Sequence, residues 1–152
     1  MLPLGHMGIT VAVVRLLESN FQSSWVDYRL LLVVSLLPDL IDKPIGYLCG
    51  AHSIFGNRDY GHSLLLLLML FIAAVVQWQY QNKLTILIIC IGSLLHDILD
   101  VVSHHDHWAD RALLSTNMLM AFEIIGGCLL IYFFTGLVVH NKVGHFIKTG
   151  EL

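Results

Sequence analysis

Five apolar stretches, separated by short polar segments, follow one another along the chain. They cover residues 4–17, 30–41, 63–80, 84–102 and 118–139, and the second continues in a further apolar run to residue 48. A helix needs about 20 predominantly apolar residues to cross a bilayer. The third, fourth and fifth stretches are long enough to do so. The first two are shorter and would tilt, thin the bilayer or insert only in part.

The stretches lack the alternation of apolar and polar positions that is typical of membrane β-strands. Because backbone groups exposed to lipid must be hydrogen-bonded within their own segment, helices are the expected structure. The sequence therefore predicts an all-α, polytopic bundle of about four to five transmembrane helices, forming one domain over residues 1–152. Residues 1–8 include no lysine or arginine, so we expect the first stretch to remain in the mature protein.

The composition agrees with a membrane protein and argues against several other classes. Hydrophobic residues make up 57% of the chain and charged residues 12%, against about 25% charged in ordinary soluble domains. The net charge is −3 and there is no basic run, so no nucleic-acid partner is expected. Cys49, Cys90 and Cys128 show neither a CxxC spacing nor a disulfide framework. The membrane lipid itself is thus the main predicted partner.

Seven histidine and acidic residues in or beside the apolar stretches fall toward one end of the predicted bundle. If the five helices alternate in direction, the N-terminus, the second connection and the fourth connection share one side of the membrane. The residues near that side are His6, Asp39, Asp42, His62, His96, Asp100 and Glu123. Since ionisable groups inside a membrane are costly and are functional candidates by default, this coincidence predicts a common site.

Lysine and arginine residues are unevenly divided between the two ends. Five of the eight belong to the end away from the candidate site, namely Arg15, Arg29, Lys83, Lys142 and Lys148. Because cytoplasmic connections carry an excess of basic residues, the distribution places the site on the side away from the cytoplasm.

The segment around His96 carries the strongest local pattern. His96 and Asp100 are four residues apart and therefore lie on one face of a helix, where an imidazole and a carboxylate can chelate one ion. A buried His–Asp hydrogen bond without a metal is the alternative. A charged side chain near the centre of a membrane helix costs about 2.5–3.5 kcal/mol, and Asp97 adds repulsion to Asp100. A bound cation offsets both costs, which favours the metal.

Two aspartates at the end of the second stretch form the next pattern. Asp39 and Asp42 are three residues apart and stand between Pro38 and Pro44. Paired carboxylates at the end of an apolar run suit a divalent cation. The alternative is an ordinary helix end at which Asp39 caps a following turn.

The third stretch opens with a histidine. Ser63 is a suitable helix cap, whereas His62 just before it has no such structural need. A helix N-terminus favours anions, so Arg58 beside it could hold a phosphate or a developing negative charge. A solvated arginine and an interfacial histidine are the alternative.

Three further features are weaker candidates. His6 stands between glycines near the N-terminus, and Glu123 is an intramembrane carboxylate that could instead pair with Arg58 or Arg111. The histidine-rich run 103–110 is interpreted as a solvated loop beside the site, which could add a ligand or control access.

Several of these motifs, in this order, resemble one known family. The shared elements are Gly5-His6, Pro38-Asp39 with Asp42, Arg58 followed by His62-Ser63, and Gly92 followed by His96 and Asp100. They are similar to the YdjM-like membrane-bound proteins, whose namesakes are LexA-regulated bacterial inner-membrane proteins assigned as metal-dependent hydrolases. The resemblance implies a multi-pass protein of the inner membrane. It also implies a metal site formed by His6, Asp39, Asp42, His62, His96 and Asp100.

The chain departs from the family pattern at the aspartate pair and before His62, where Tyr60-Gly61 replaces the more usual Phe-Thr or Ile-Thr. The aspartate pair is one residue wider than the common form, and Lys43 stands where a histidine can occur. Asp42 is therefore taken as a candidate base instead of a metal ligand.

Together these features predict a membrane-embedded metal-dependent hydrolase. The metal, zinc first and manganese second, would be bound by His6, Asp39, His62, His96 and Asp100. Asp42, Asp97 or Glu123 would act as general base, and Arg58 would stabilise negative charge on the substrate. The position of the site near a membrane surface suggests a lipid or a lipid-linked phosphoester or ester as substrate.

Other functions use the same residues. A metal-binding transporter needs the ligands without bond cleavage, and a non-catalytic membrane protein would use the polar cluster to hold its helices together. A diiron membrane oxidase is a further alternative suggested by His104, His105 and His107, but its repeated histidine boxes are missing.

Overall fold

The computed structural model describes residues 3–21, 25–49, 61–103 and 112–152, with side chains for 3–19, 25–44, 61–102 and 120–152. Within these ranges the chain forms helices and contains no strand, which confirms the predicted all-α fold. The helices are α1 (Pro3–Phe21), α2 (Tyr28–Val34), α3 (Leu37–Cys49), α4 (Leu64–Gln81), α5 (Thr85–Ser103), α6 (Ala112–Val139) and α7 (Val143–Thr149).

Three of the described helices are long and apolar enough to cross a membrane. Their spans are Leu64–Gln81 in α4, Thr85–Val102 in α5 and Met120–Val139 in α6, the same three stretches that the sequence predicts to span. α4 is exposed almost all round, with Leu65 at 67% and Ile72 at 54%, as expected for a lipid-facing helix. Of the other described helices, α1 and the α2–α3 pair are the candidates for a fourth or fifth crossing. They are not both long and apolar enough to meet the requirements for a membrane span.

The second apolar stretch, predicted as one helix, is divided into α2 and α3 at Ser35 and Leu36. Pro38 explains the break, because it has no N–H group to continue the hydrogen bonds of α2. It lies instead in the first turn of α3, where a helix needs no donor. The break leaves backbone carbonyl groups at the end of α2 available to other partners.

α5 lies at the centre of the bundle and contacts α1, α2, α3, α4 and α6. Buried apolar side chains from five helices and from the turn before α2 pack into a core at one end of α5. They are Val11, Val14, Val26, Tyr28, Leu31, Ile88, Phe133, Leu137 and Phe146. The histidine and aspartate residues of α5 lie nearer its other end, beyond this core.

α1 and α6 cross with their backbones nearly in contact. A Cβ atom on Gly8 would stand 1.9 Å from the carbonyl oxygen of Gly126, and one on Gly126 would stand 2.5 Å from the Cα of Gly5. The Glu123 carboxylate also accepts hydrogen bonds from the backbone N–H groups of Leu4 and Gly5, both at 3.0 Å. These contacts fix the start of α1, and therefore His6, against the rest of the bundle.

Candidate metal centre

His96 on α5 is completely buried, and one backbone contact determines its orientation. Its Nδ1 lies 2.7 Å from the carbonyl oxygen of Ser35 at the break between α2 and α3. A carbonyl group only accepts hydrogen bonds, so Nδ1 carries the proton. The Nε2 atom of neutral His96 is left with a lone pair that points toward the other polar side chains.

His62, in the turn before α4, is oriented in the same way by a carboxylate. Its Nδ1 lies 2.8 Å from Oδ2 of Asp42, and the other oxygen of Asp42 accepts the backbone N–H of Gly61 at 2.5 Å. Gly61 is required here, because a Cβ atom would stand 2.3 Å from the carbonyl oxygen of Pro38. The carboxylate of Asp42 thus directs the Nε2 lone pair of His62 into the site.

These two orientations bring the two Nε2 atoms to within 3.3 Å of each other. With both Nδ1 atoms protonated, two lone pairs face each other, and the arrangement is repulsive unless a proton or a metal cation lies between them. Asp100 adds negative charge, with Oδ2 at 3.5 Å from Nε2 of His62. Hydrogen bonding to Asp100, together with Asp42, raises the pKa of His62. The same surroundings that hold a proton there would hold a cation.

His6 completes the cluster from α1. Its ring stacks on that of His96, with centroids 3.9 Å apart and planes inclined by 17°, and its Nε2 lies 3.3 Å from Oδ1 of Asp100. The side chain is 0% exposed, yet neither ring nitrogen makes a hydrogen bond within the described part of the chain. A buried imidazole without hydrogen bonds costs free energy, which a metal ligand bond would offset.

Asp39 approaches from α3. Its Oδ1 lies 3.9 Å from Nε2 of His96, while Oδ2 accepts a hydrogen bond from Lys43 Nζ at 2.6 Å. Two sets of three potential ligand atoms result, each lying within 4.8 Å of one another: His6, His96 and Asp100, and Asp39, His62 and His96. Because Nδ1 of His96 is taken by Ser35, its single free nitrogen belongs to both sets, which favours one shared ion over two.

The donor set fits a divalent cation. Three imidazoles and two carboxylates match the mixed nitrogen and oxygen ligands of zinc and of related transition metals. Four aspartates, Asp39, Asp42, Asp97 and Asp100, lie in this region among the described residues, and Lys43 pairs with Asp39.

The remaining predicted residues occupy different positions. Asp97 lies within electrostatic range of His62, Asp42, Asp100 and His6, and its Oδ1 is buried without a hydrogen bond from the described residues. Glu123 belongs to the same end of the bundle but holds the start of α1. Arg58 and the histidine-rich run 103–110 lie outside the described side chains, so their predicted roles remain predictions.

Sequence reasoning missed the features that set the orientation of the ligands. The Ser35 carbonyl group has no sequence signal, since every residue has one. Gly61 carries a weak signal, since a glycine beside a candidate histidine ligand can indicate a close backbone approach. Thr10 and Ser93, one turn from His6 and His96, are fully buried hydroxyl-bearing residues of the same region.

The fold and the site together define an all-helical membrane protein with buried histidine and aspartate side chains able to hold a metal ion. The family model described as YdjM inner membrane protein matches residues 1–107, about two thirds of the chain, and the chain belongs to this family. The match includes all five predicted ligands and ends before α6. No curated protein and no solved structure matches the chain.

Proposed function

We propose that this protein is a membrane-embedded metal-dependent hydrolase with one divalent ion, zinc in preference to manganese. The observation that carries the proposal is the 3.3 Å approach of His62 Nε2 to His96 Nε2, with both Nδ1 atoms engaged elsewhere. Those two nitrogens would bind the ion together with His6, Asp39 and Asp100. The ion would act as a Lewis acid on the substrate and on the attacking water.

Asp97 is the preferred general base among the three candidates. Asp42 is occupied by His62 and the Gly61 backbone, and Glu123 by the start of α1. Asp97 has a buried carboxylate oxygen, Oδ1, without a hydrogen bond from the described residues. It is also adjacent to the ligand His96 in sequence. Its role would be to take a proton from water at Oδ1.

The proposed substrate is a lipid or lipid-linked phosphoester or ester. The supporting argument is the position of the cluster, which lies at one end of helices that are apolar and lipid-exposed for most of their length. Arg58, three residues before Gly61 in the sequence, would neutralise charge on a phosphoester.

Metal analysis of the protein purified in detergent tests the metal centre. We expect about one ion per chain in the wild type and loss of that ion in a variant combining His96→Ala with Asp100→Ala. His145→Ala is the matched control, because this histidine lies on α7 with its side chain 54% exposed. A double variant that keeps its metal, while remaining folded by size-exclusion chromatography, would overturn the metal centre.

A screen of phosphoester and carboxylic ester lipids then tests hydrolysis. We expect Asp97→Asn to retain the metal and to lose about 10²–10⁴-fold in turnover, the usual contribution of a general base. A metal-loaded protein that cleaves none of these lipids would contradict the hydrolase and leave metal binding or transport.

A further inference from the structure

Two neighbouring cavities lie between α1 and α6, at the end of the bundle away from the metal centre. Their volumes are about 280 Å³ and 360 Å³, and they share Arg15, Tyr132 and Phe133 as lining residues. The larger is apolar and is formed by Val11 and Leu129 among others. The smaller is closer to the end of α6 and is lined by His140 and Lys142. Together they form one groove with an apolar part and a basic part.

The described side chains that line the basic part of the groove include Arg15, His140 and Lys142. No aspartate or glutamate lines either cavity within the described part of the chain. Glu18 and Asp27 lie outside this lining: Glu18 accepts hydrogen bonds from the Trp25 backbone and the Tyr28 hydroxyl, and Asp27 pairs with Arg29. Arg15 and Lys142 therefore present positive charge to whatever occupies the groove.

Arg15 lies beside residues of a membrane span, which bears on the charge of the ligand. It lines the groove beside Leu129 and Tyr132, which belong to the membrane span Met120–Val139. A cation beside apolar residues within a membrane span is costly unless an anion accompanies it. Lys142 lies just beyond the end of that span, where lipid headgroups are found.

We propose that this groove binds one anionic phospholipid from the membrane. Its phosphate would contact Arg15 and Lys142, and one acyl chain would lie along Val11, Leu129 and Phe133. Five of the eight basic residues of the chain belong to this end, which the positive-inside rule assigns to the cytoplasmic side. Anionic lipids are enriched in that leaflet, and basic pockets between helices on that side bind their headgroups. The site is separate from the metal centre and does not depend on it.

Thermal unfolding in mixed micelles tests the proposal, with phosphatidylglycerol compared with phosphatidylcholine of the same acyl chains. We expect phosphatidylglycerol alone to raise the unfolding temperature of the wild type. Combining Arg15→Gln with Lys142→Gln should weaken the apparent affinity by about 25-fold, or about fivefold for each lost cation. Lys83→Gln, which removes an exposed cation in the turn before α5 at the same end, should change nothing.

Two results would overturn the lipid site. One is an equal stabilisation by phosphatidylcholine, which would show that the groove does not recognise charge. The other is an unchanged phosphatidylglycerol effect in the double variant. If that variant does not fold, Lys142→Gln alone decides the question, because this exposed side chain makes no described hydrogen bond and its loss should still weaken binding about fivefold.

Discussion

Asp27 and Asp42 represent the two ends of the molecule, and both carboxylates accept backbone N–H groups near the start of a helix or turn. Asp27 caps α2 and is paired with Arg29, whose guanidinium also donates to the carbonyl oxygens of Ile147 and Lys148 at the end of α7. Asp42 lies at the other end, in the candidate site. It holds His62 and the Gly61 backbone instead.

The difference places one aspartate in an ion pair at one end and the other beside the candidate metal ligands at the other end. At the Asp27 end, the charge of Asp27 is neutralised by Arg29, and an apolar core closes around Tyr28 and Phe133. At the Asp42 end, the hydrogen bonds direct the Nε2 atoms of His62 and His96 toward one another. A folded protein tolerates such a cluster when an external cation completes it.

The largest expected effect is a loss of stability at the α1–α6 crossing, which supports the Asp42 end. Gly8→Ala places a Cβ atom against the backbone of Gly126, where neither partner can rotate away. Overpacking of this kind costs about 1–3 kcal/mol and occasionally more, and we expect the high end of that range in thermal unfolding. Gly127→Ala is the control, because a Cβ there meets nothing within 4 Å. Equal stability of the two variants would show that the helices can separate freely.

The next effect separates the roles of the two aspartates. Asp42→Asn keeps an oxygen acceptor but removes the charge that makes His62 a better ligand. Loss of such a supporting residue lowers metal affinity by about 10–100-fold. Asp27→Asn should leave metal affinity unchanged in the same competition assay. Equal affinities of the Asp42 variant and the wild type would show that Asp42 does not support the site.

The smallest expected effect is the pH dependence of stability that Asp27 contributes. The hydrogen bond from Arg29 lowers the pKa of Asp27 below its ordinary value of 3.8. A carboxyl group whose pKa is lower in the folded state stabilises the protein above its unfolded pKa, and this stabilisation is lost as the pH falls through the folded pKa. Because the side chain is 33% exposed, solvent screening limits the contribution to about 1 kcal/mol or less.

Asp27→Asn isolates this charge, because asparagine is an equally good helix cap. We expect the variant to unfold at a slightly lower temperature than the wild type at pH 7. The difference should shrink as the pH falls below 3.8. Glu151→Gln, at an exposed carboxylate on the same end, serves as the control. A difference in unfolding temperature between Asp27→Asn and the wild type that stays constant down to about pH 2 would contradict a role for the charge.

The sequence by itself determined the helical membrane fold and the residues that gather at one end. Runs of about 20 apolar residues can satisfy their backbones in lipid only as helices, and alternating directions place His6, Asp39, His62 and His96 at the same end. Local spacing also relates Asp100 to His96 and Lys43 to Asp39, since residues four apart share a helix face.

Only the tertiary structure decided which of these residues face one another and where their ring nitrogens point. The Ser35 carbonyl that fixes His96, the contact of Gly61 with Pro38, and the use of Glu123 to hold α1 join residues 23 to 119 positions apart. Such contacts depend on how the helices pack and where α2 ends. The hydrophobic periodicity of the sequence predicts neither. The sequence therefore identifies the candidate metal-binding residues. The directions of their ring nitrogens depend on packing between distant segments.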